Sequence, residues 1–80
     1  DCAEPAPMAL AADPAGGWIV TVRGAFDPAT TAAELASRHG FSVTSVLSWG
    51  FIADLGPGAV AALRCEPAVE RLDQSSAHAP

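Results

Sequence analysis

Residues 50–63, Gly-Phe-Ile-Ala-Asp-Leu-Gly-Pro-Gly-Ala-Val-Ala-Ala-Leu, constrain the rest of the chain more than any other stretch. Phe51, Ala53 and Leu55 share one face of a strand, and Ile52 and Asp54 share the other, because side chains alternate along an extended backbone. Gly56 ends the strand. Pro57 takes the first helical position, where its missing N–H would have no partner in any case. Ala59, Val60 and Leu63 continue at helical spacing. Glu66-Pro67 stops the helix, and Val69 restarts a strand. The segment contains no catalytic group, and its importance is topological.

The remaining elements are read around this unit. Residues 1–17 are rich in Ala and Pro without a period, and read as an arm. Trp18-Ile19-Val20-Thr21-Val22-Arg23 is the strongest strand, almost wholly β-branched or aromatic. Trp18, Val20 and Val22 form one of its faces, and Ile19, Thr21 and Arg23 the other. Asp27 is a good N-cap followed by Pro28, and Ala32, Leu35, Ala36 and His39 recur on one helical face before Gly40. Glu34 and Arg38 have the spacing of a helix-surface pair, and His39 is placed to cap the last carbonyls. Residues 41–49 form a second strand region whose alternation slips between Val43 and Val46, which predicts a bulge or an edge. Ser48-Trp49-Gly50 is a short hairpin into the opening unit. Residues 69–72 are a weak last strand, and Asp73 to Pro80 is a small-residue tail with no reason to fold by itself.

The order is strand, helix, strand, strand, helix, strand. With right-handed crossovers it predicts an α+β, ferredoxin-like βαββαβ sandwich: a four-stranded antiparallel sheet of order 4-1-3-2 with two helices on one face. The expected division is an arm over 1–17, a domain over 18–74 and a flexible tail over 75–80. The other sheet face, carrying Ile19, Thr21, Ile52 and Asp54, has no helix to cover it, and a partly apolar bare face marks a partner site.

Composition removes several function classes. The chain has 80 residues, enough for one small core, and its apolar half is dominated by alanine. Its net charge is −5, with no lysine and four scattered arginines, which argues against a nucleic-acid partner. No apolar run approaches the ~20 residues of a membrane span. His39 and His78 do not complete a nucleophilic triad, since no Gly-x-Ser-x-Gly elbow is present. Metal-ligand clusters and a phosphate-binding loop are also missing, so neither an enzyme nor a cofactor is expected.

Cys2 and Cys65 are too far apart for a CxxC motif. They fit two buried thiols or one disulfide pinning the arm to the end of the second helix. A chain that begins at Asp1 fits removal of an upstream signal, so the reading taken is a disulfide-bonded, secreted or periplasmic protein.

Six segments, Trp18–Arg23, Thr31–Ala36, Val43–Val46, Gly50–Leu55, Ala59–Arg64 and Glu66–Glu70, together resemble the propeptide domain of subtilisin-like serine proteases. They are similar in equal measure to the free-standing inhibitors of that family. The resemblance covers Trp18 to about Gln74. It implies a protein inhibitor, monomeric when free, whose partner is a subtilisin-like serine protease. The bare sheet face, with Ile19, Thr21, Ile52 and Asp54, would pack on two enzyme helices. The C-terminal segment, with Leu72, Asp73, Ser75, Ser76, Ala77, His78, Ala79 and Pro80, would extend into the substrate cleft by strand addition. Asp73 falls where the family caps an enzyme helix with an acid, and the second such position falls near the uncharged Ser75. The usual Ser-Pro-Glu start of the second helix is Gly56-Pro57-Gly58 here, and the aromatic common in the last strand is Arg71. The arm and both cysteines lie outside the pattern. Two alternatives remain. One is a cleaved prodomain that templates the folding of its own protease, which the linker-like residues 75–80 favour. The other is a ferredoxin-like ligand-binding or assembly module. A chain that stops at Pro80 and carries a disulfide favours the free-standing inhibitor.

Overall fold

A computed structural model describes residues 2–76. Its elements in chain order are β1 (Met8–Ala9), β2 (Pro14–Val22), α1 (Pro28–His39), β3 (Ser42–Leu47), β4 (Gly50–Asp54), α2 (Pro57–Leu63) and β5 (Val69–Ser76). One sheet holds all five strands in the order β1-β5-β2-β4-β3. β1 runs parallel to β5, and every other pairing is antiparallel.

This corrects the four-stranded antiparallel, ferredoxin-like sheet expected from the element order. The sheet is five-stranded and mixed, because the arm supplies an edge strand of its own. Met8 pairs with Leu72 and Ala9 with Asp73. Several contacts hold the arm there. Cys2 and Cys65 form a disulfide with a Cα–Cα distance of 5.5 Å. The Ala6 N–H donates to the Arg64 carbonyl, and Arg64 Nε donates back to the Ala6 carbonyl at 2.7 Å. The Leu72 N–H donates to Pro7 at 3.0 Å, and the Ala11 N–H donates to Gln74 Oε1 at 3.0 Å. A bridge closing a loop of this length stabilises by about 4 kcal/mol through chain entropy. That is a large share of the stability of a small domain.

The core lies between the sheet and both helices. Val20, Phe51, Leu63, Val69 and Leu72 are its fully buried side chains, joined by Trp18, Ala32, Leu35, Ala53 and Val60. Val20 sits at the centre, paired with Phe51 on one side and Leu72 on the other. Phe41 stacks on Phe51 with ring centroids 6.1 Å apart. β2 is thus the central strand that its β-branched run predicts. β3 is an edge, with a register shift between Val43 and Ser45 where the alternation slips.

Local chemistry sets the helix ends. The Asp27 carboxylate accepts from the Thr30 N–H at 2.9 Å and from the Thr30 hydroxyl at 2.8 Å. These bonds, the backbone one foremost, hold the Asp27 carboxyl below the usual range. Gly40 adopts a left-handed conformation at φ 72° and returns its N–H to Ala36, closing α1. α2 has only seven residues, and its N-cap Gly56 supplies no side-chain bond. Gly50 is required for a different reason. A Cβ there would run into the carbonyl oxygen of Val20 on the neighbouring strand. Among the described residues, no helix is long and apolar enough to cross a membrane.

Candidate protein-binding face

Alternation along the strands decides which side chains face away from the helices. With Val20 and Phe51 turned into the core, Ile19, Thr21 and Ile52 point to the opposite, bare face. Register then aligns them across the sheet. Asp73, Ile19, Ile52 and Ser45 form one row over β5, β2, β4 and β3, and Arg71, Thr21, Gly50 and Leu47 form the next. Ile19, Thr21 and Ile52 are half-buried by one another and by flanking side chains, whereas Asp54 is exposed at the end of β4. Gly16, Gly17, Thr44, Ile52, Asp54 and Ser75 line a shallow hollow at that end of the face. Its glycines leave the backbone open to an approaching surface.

One edge of the face is charged. Arg71 Nε donates to Asp73 Oδ2 at 2.9 Å and Arg71 Nη2 to Asp73 Oδ1 at 2.8 Å, a two-point fork. Asp73, expected to cap an enzyme helix, is held by Arg71 in the free chain, a partner the sequence reading did not name. The signal was an Arg-x-Asp spacing on a strand, which puts both side chains on one face.

Leu72 is corrected. It is fully buried beneath the helices and belongs to the core rather than to an exposed segment. A register shift between Thr21 and Val22 lets Val69 and Leu72 both turn inward, three residues apart. The tail is corrected in part as well. Asp73–Ser76 are strand residues, with Trp18 opposite Gln74 and Pro14 opposite Ser76. Ser75 is half-buried and Ser76 exposed. Ala77, His78, Ala79 and Pro80 lie outside the described residues. Cys2 and Cys65 act away from the bare face, by holding β1 on the outer edge of β5.

A charged cluster away from the face ties the end of α1 to the turn after α2. Glu66 receives Arg38 Nη1 on both oxygens, at 2.9 and 3.0 Å, and His39 Nε2 lies 2.8 Å from Oε2. His39 therefore meets a carboxylate in the turn after α2 rather than capping the carbonyls of its own helix, and Arg38 pairs with Glu66 rather than Glu34. Burial pushes the Glu66 carboxyl up. The hydrogen bonds and charges of His39 and Arg38 together outweigh it, so the group titrates below its usual range. No group of three or more His, Cys, Asp or Glu side chains that could hold a metal ion occurs among the described residues. No protein-family model matches the chain, and no curated protein matches it in sequence.

Proposed function

We propose that this chain is a protein inhibitor of subtilisin-like serine proteases. It docks the bare sheet face on the enzyme and directs the segment after β5 toward the substrate cleft. The observation that carries the reading is the face itself. Ile19 and Ile52 lie side by side at the centre of a sheet surface that neither helix of the described residues covers, and the charged rim of that face lies on β5. β5 is already extended through Ser76, so residues beyond it can join an enzyme strand by backbone pairing without a change of direction. The rigid sheet supplies the apolar contact, which offsets the ordering cost of about 1–2 kcal/mol per residue fixed in the cleft. The Cys2–Cys65 disulfide supports an exported protein, since such bonds persist in oxidising compartments.

In this reading Asp73 exchanges Arg71 for the N-terminal N–H groups of an enzyme helix, where the helix dipole favours an anion. The test is inhibition of a subtilisin-type enzyme by the oxidised chain, together with a chain shortened by residues 76–80. Strong inhibition by the full chain and weak inhibition by the shortened one supports the mechanism. Equal inhibition by both removes the cleft-binding part of it.

A further inference from the structure

A second concave surface lies on the opposite side of the molecule from the bare face. The arm and α2 enclose a hollow of about 240 Å³ lined by Met8, Leu10, Trp18, Pro57, Val60, Ala61 and Arg64. Pro57, Val60, Ala61 and Arg64 follow the i, i+3, i+4, i+7 stripe of one helix face, and Arg64 continues the helical backbone at the C-cap. The hollow therefore runs along α2 for about 10 Å, seven residues at the helical rise. The arm forms the opposite wall in antiparallel sense. Ala6 bonds Arg64 at one end, and Met8 and Leu10 follow toward the other. Met8 and Leu10 keep 40% and 70% of their surface in solvent, although Ala6, two residues before Met8, is buried. The disulfide, β1 and the Gln74 bond fix this wall in place, so its apolar side chains are held out over the hollow.

Among the described residues, the only charge in the lining is Arg64. Its Nε is used by the Ala6 carbonyl, and no carboxylate among the described residues pairs with its guanidinium. Arg38 and Arg71, by contrast, each hold a carboxylate. A half-buried guanidinium with no carboxylate partner among the described residues, at the end of an apolar trough, is complementary to an acid with an apolar body.

We propose that the trough between the arm and α2 binds a linear, medium-chain carboxylate. Its alkyl chain lies between Met8, Leu10, Trp18 and Val60, and its carboxylate meets the Nη atoms of Arg64. An extended alkyl chain of about eight carbons spans the length of the trough. A chain of net charge −5 repels anions in general, so a preference for an acid over an amine of equal length would come from this one arginine.

The experiment titrates the oxidised chain with octanoate, octanol and octylamine, all below their aggregation limits, and follows the Trp18 indole N–H resonance. A Trp49→Phe background identifies that resonance. Octanoate should give a saturable shift and bind about tenfold more tightly than octanol, the amount one charge-assisted hydrogen bond supplies. Octylamine should bind more weakly than octanol. Ala61 is exposed, so Ala61→Phe should fill the trough, abolish the shift and leave the melting temperature within a few degrees of the parent. The proposal is overturned if octanoate gives no saturable shift, if octanol or octylamine binds as tightly, or if the Ala61→Phe chain binds octanoate unchanged.

Discussion

Arg71 and Asp73 lie two residues apart on the bare face of β5 and grip each other through two parallel hydrogen bonds of 2.9 and 2.8 Å. Both side chains are partly solvated, at 47% and 35% exposure, so the pair contributes about 0–1 kcal/mol to stability. Under the proposed function its larger effect would fall on recognition, because the acid proposed to cap an enzyme helix is already occupied. Arg71→Gln should free Asp73 and tighten inhibition by up to about fivefold, the value of the released pair, with the melting temperature nearly unchanged. Asp73→Ala should weaken inhibition, and by a larger factor in the Arg71→Gln background. Inhibition constants for the three variants check this, and equal constants throughout would remove Asp73 from the interface.

Ile19 and Ile52 are paired neighbours at the centre of the same face. Ile19→Glu or Ile52→Glu places a charge against the enzyme and should raise the inhibition constant by about a hundredfold or more, since central apolar contacts dominate such interfaces. Both variants should still fold, because the open side lets the carboxylate reach water. Val20→Glu buries a charge in the core and should unfold the chain. Melting curves beside inhibition assays separate the two effects. Undiminished inhibition by both isoleucine variants would mean that another surface docks.

Gly50 faces a different constraint. It faces the Val20–Thr21 backbone so closely that any side chain needs the strands to part. Gly50→Ala should cost about 3 kcal/mol or more, at the upper end of overpacking effects. Gly24→Ala, where no atom lies near the added carbon, should be close to neutral. Denaturant midpoints of the two variants provide the comparison.

Much of this architecture is legible in the residues. Asp27, Pro28 and Gly40 mark the ends of α1 by local chemistry that tertiary packing does not override. The β-branched run at 18–23 marks the central strand, and the slip after Val43 marks the bulged edge. What is not legible depends on distant partners. Met8 and Ala9 have no strand signal of their own, and become a strand because the disulfide and the Ala6–Arg64 bonds lay them beside β5. Asp73–Ser76 is a polar run with poor β-propensity, yet β2 and β1 supply its pairing. Leu72 is expected in the cleft-entering segment but is buried in the core, because β5 continues past it, paired on both sides by β2 and β1. The bare face itself follows from simple alternation, whereas the Arg71–Asp73 fork and the trough beside α2 require the side chains to be placed in space.

Glu66 ties the end of α1 to the turn after α2, and its contribution depends on pH. Its folded carboxyl titrates below the unfolded value of about 4.3, so in that interval the unfolded state binds more protons. The stabilisation is therefore complete above about pH 4.3 and is lost as pH falls through the folded value. Glu66→Gln should lower stability near neutral pH by about 1–2 kcal/mol through loss of charge-assisted hydrogen bonds. The gap between variant and parent should narrow as pH falls below the unfolded value. Unfolding free energies across that range test it, and a gap that widens in acid would contradict the sign.

The most direct measurement of the central claim is the inhibition constant of the oxidised chain against a subtilisin-type protease, determined with a small chromogenic substrate. A rigid, partly apolar sheet face joined to an extended cleft-binding segment should give a constant below about 1 μM, the range of a specific interface of standard size. No inhibition at concentrations a hundred times higher would contradict the account, and would leave the bare face without the partner proposed for it.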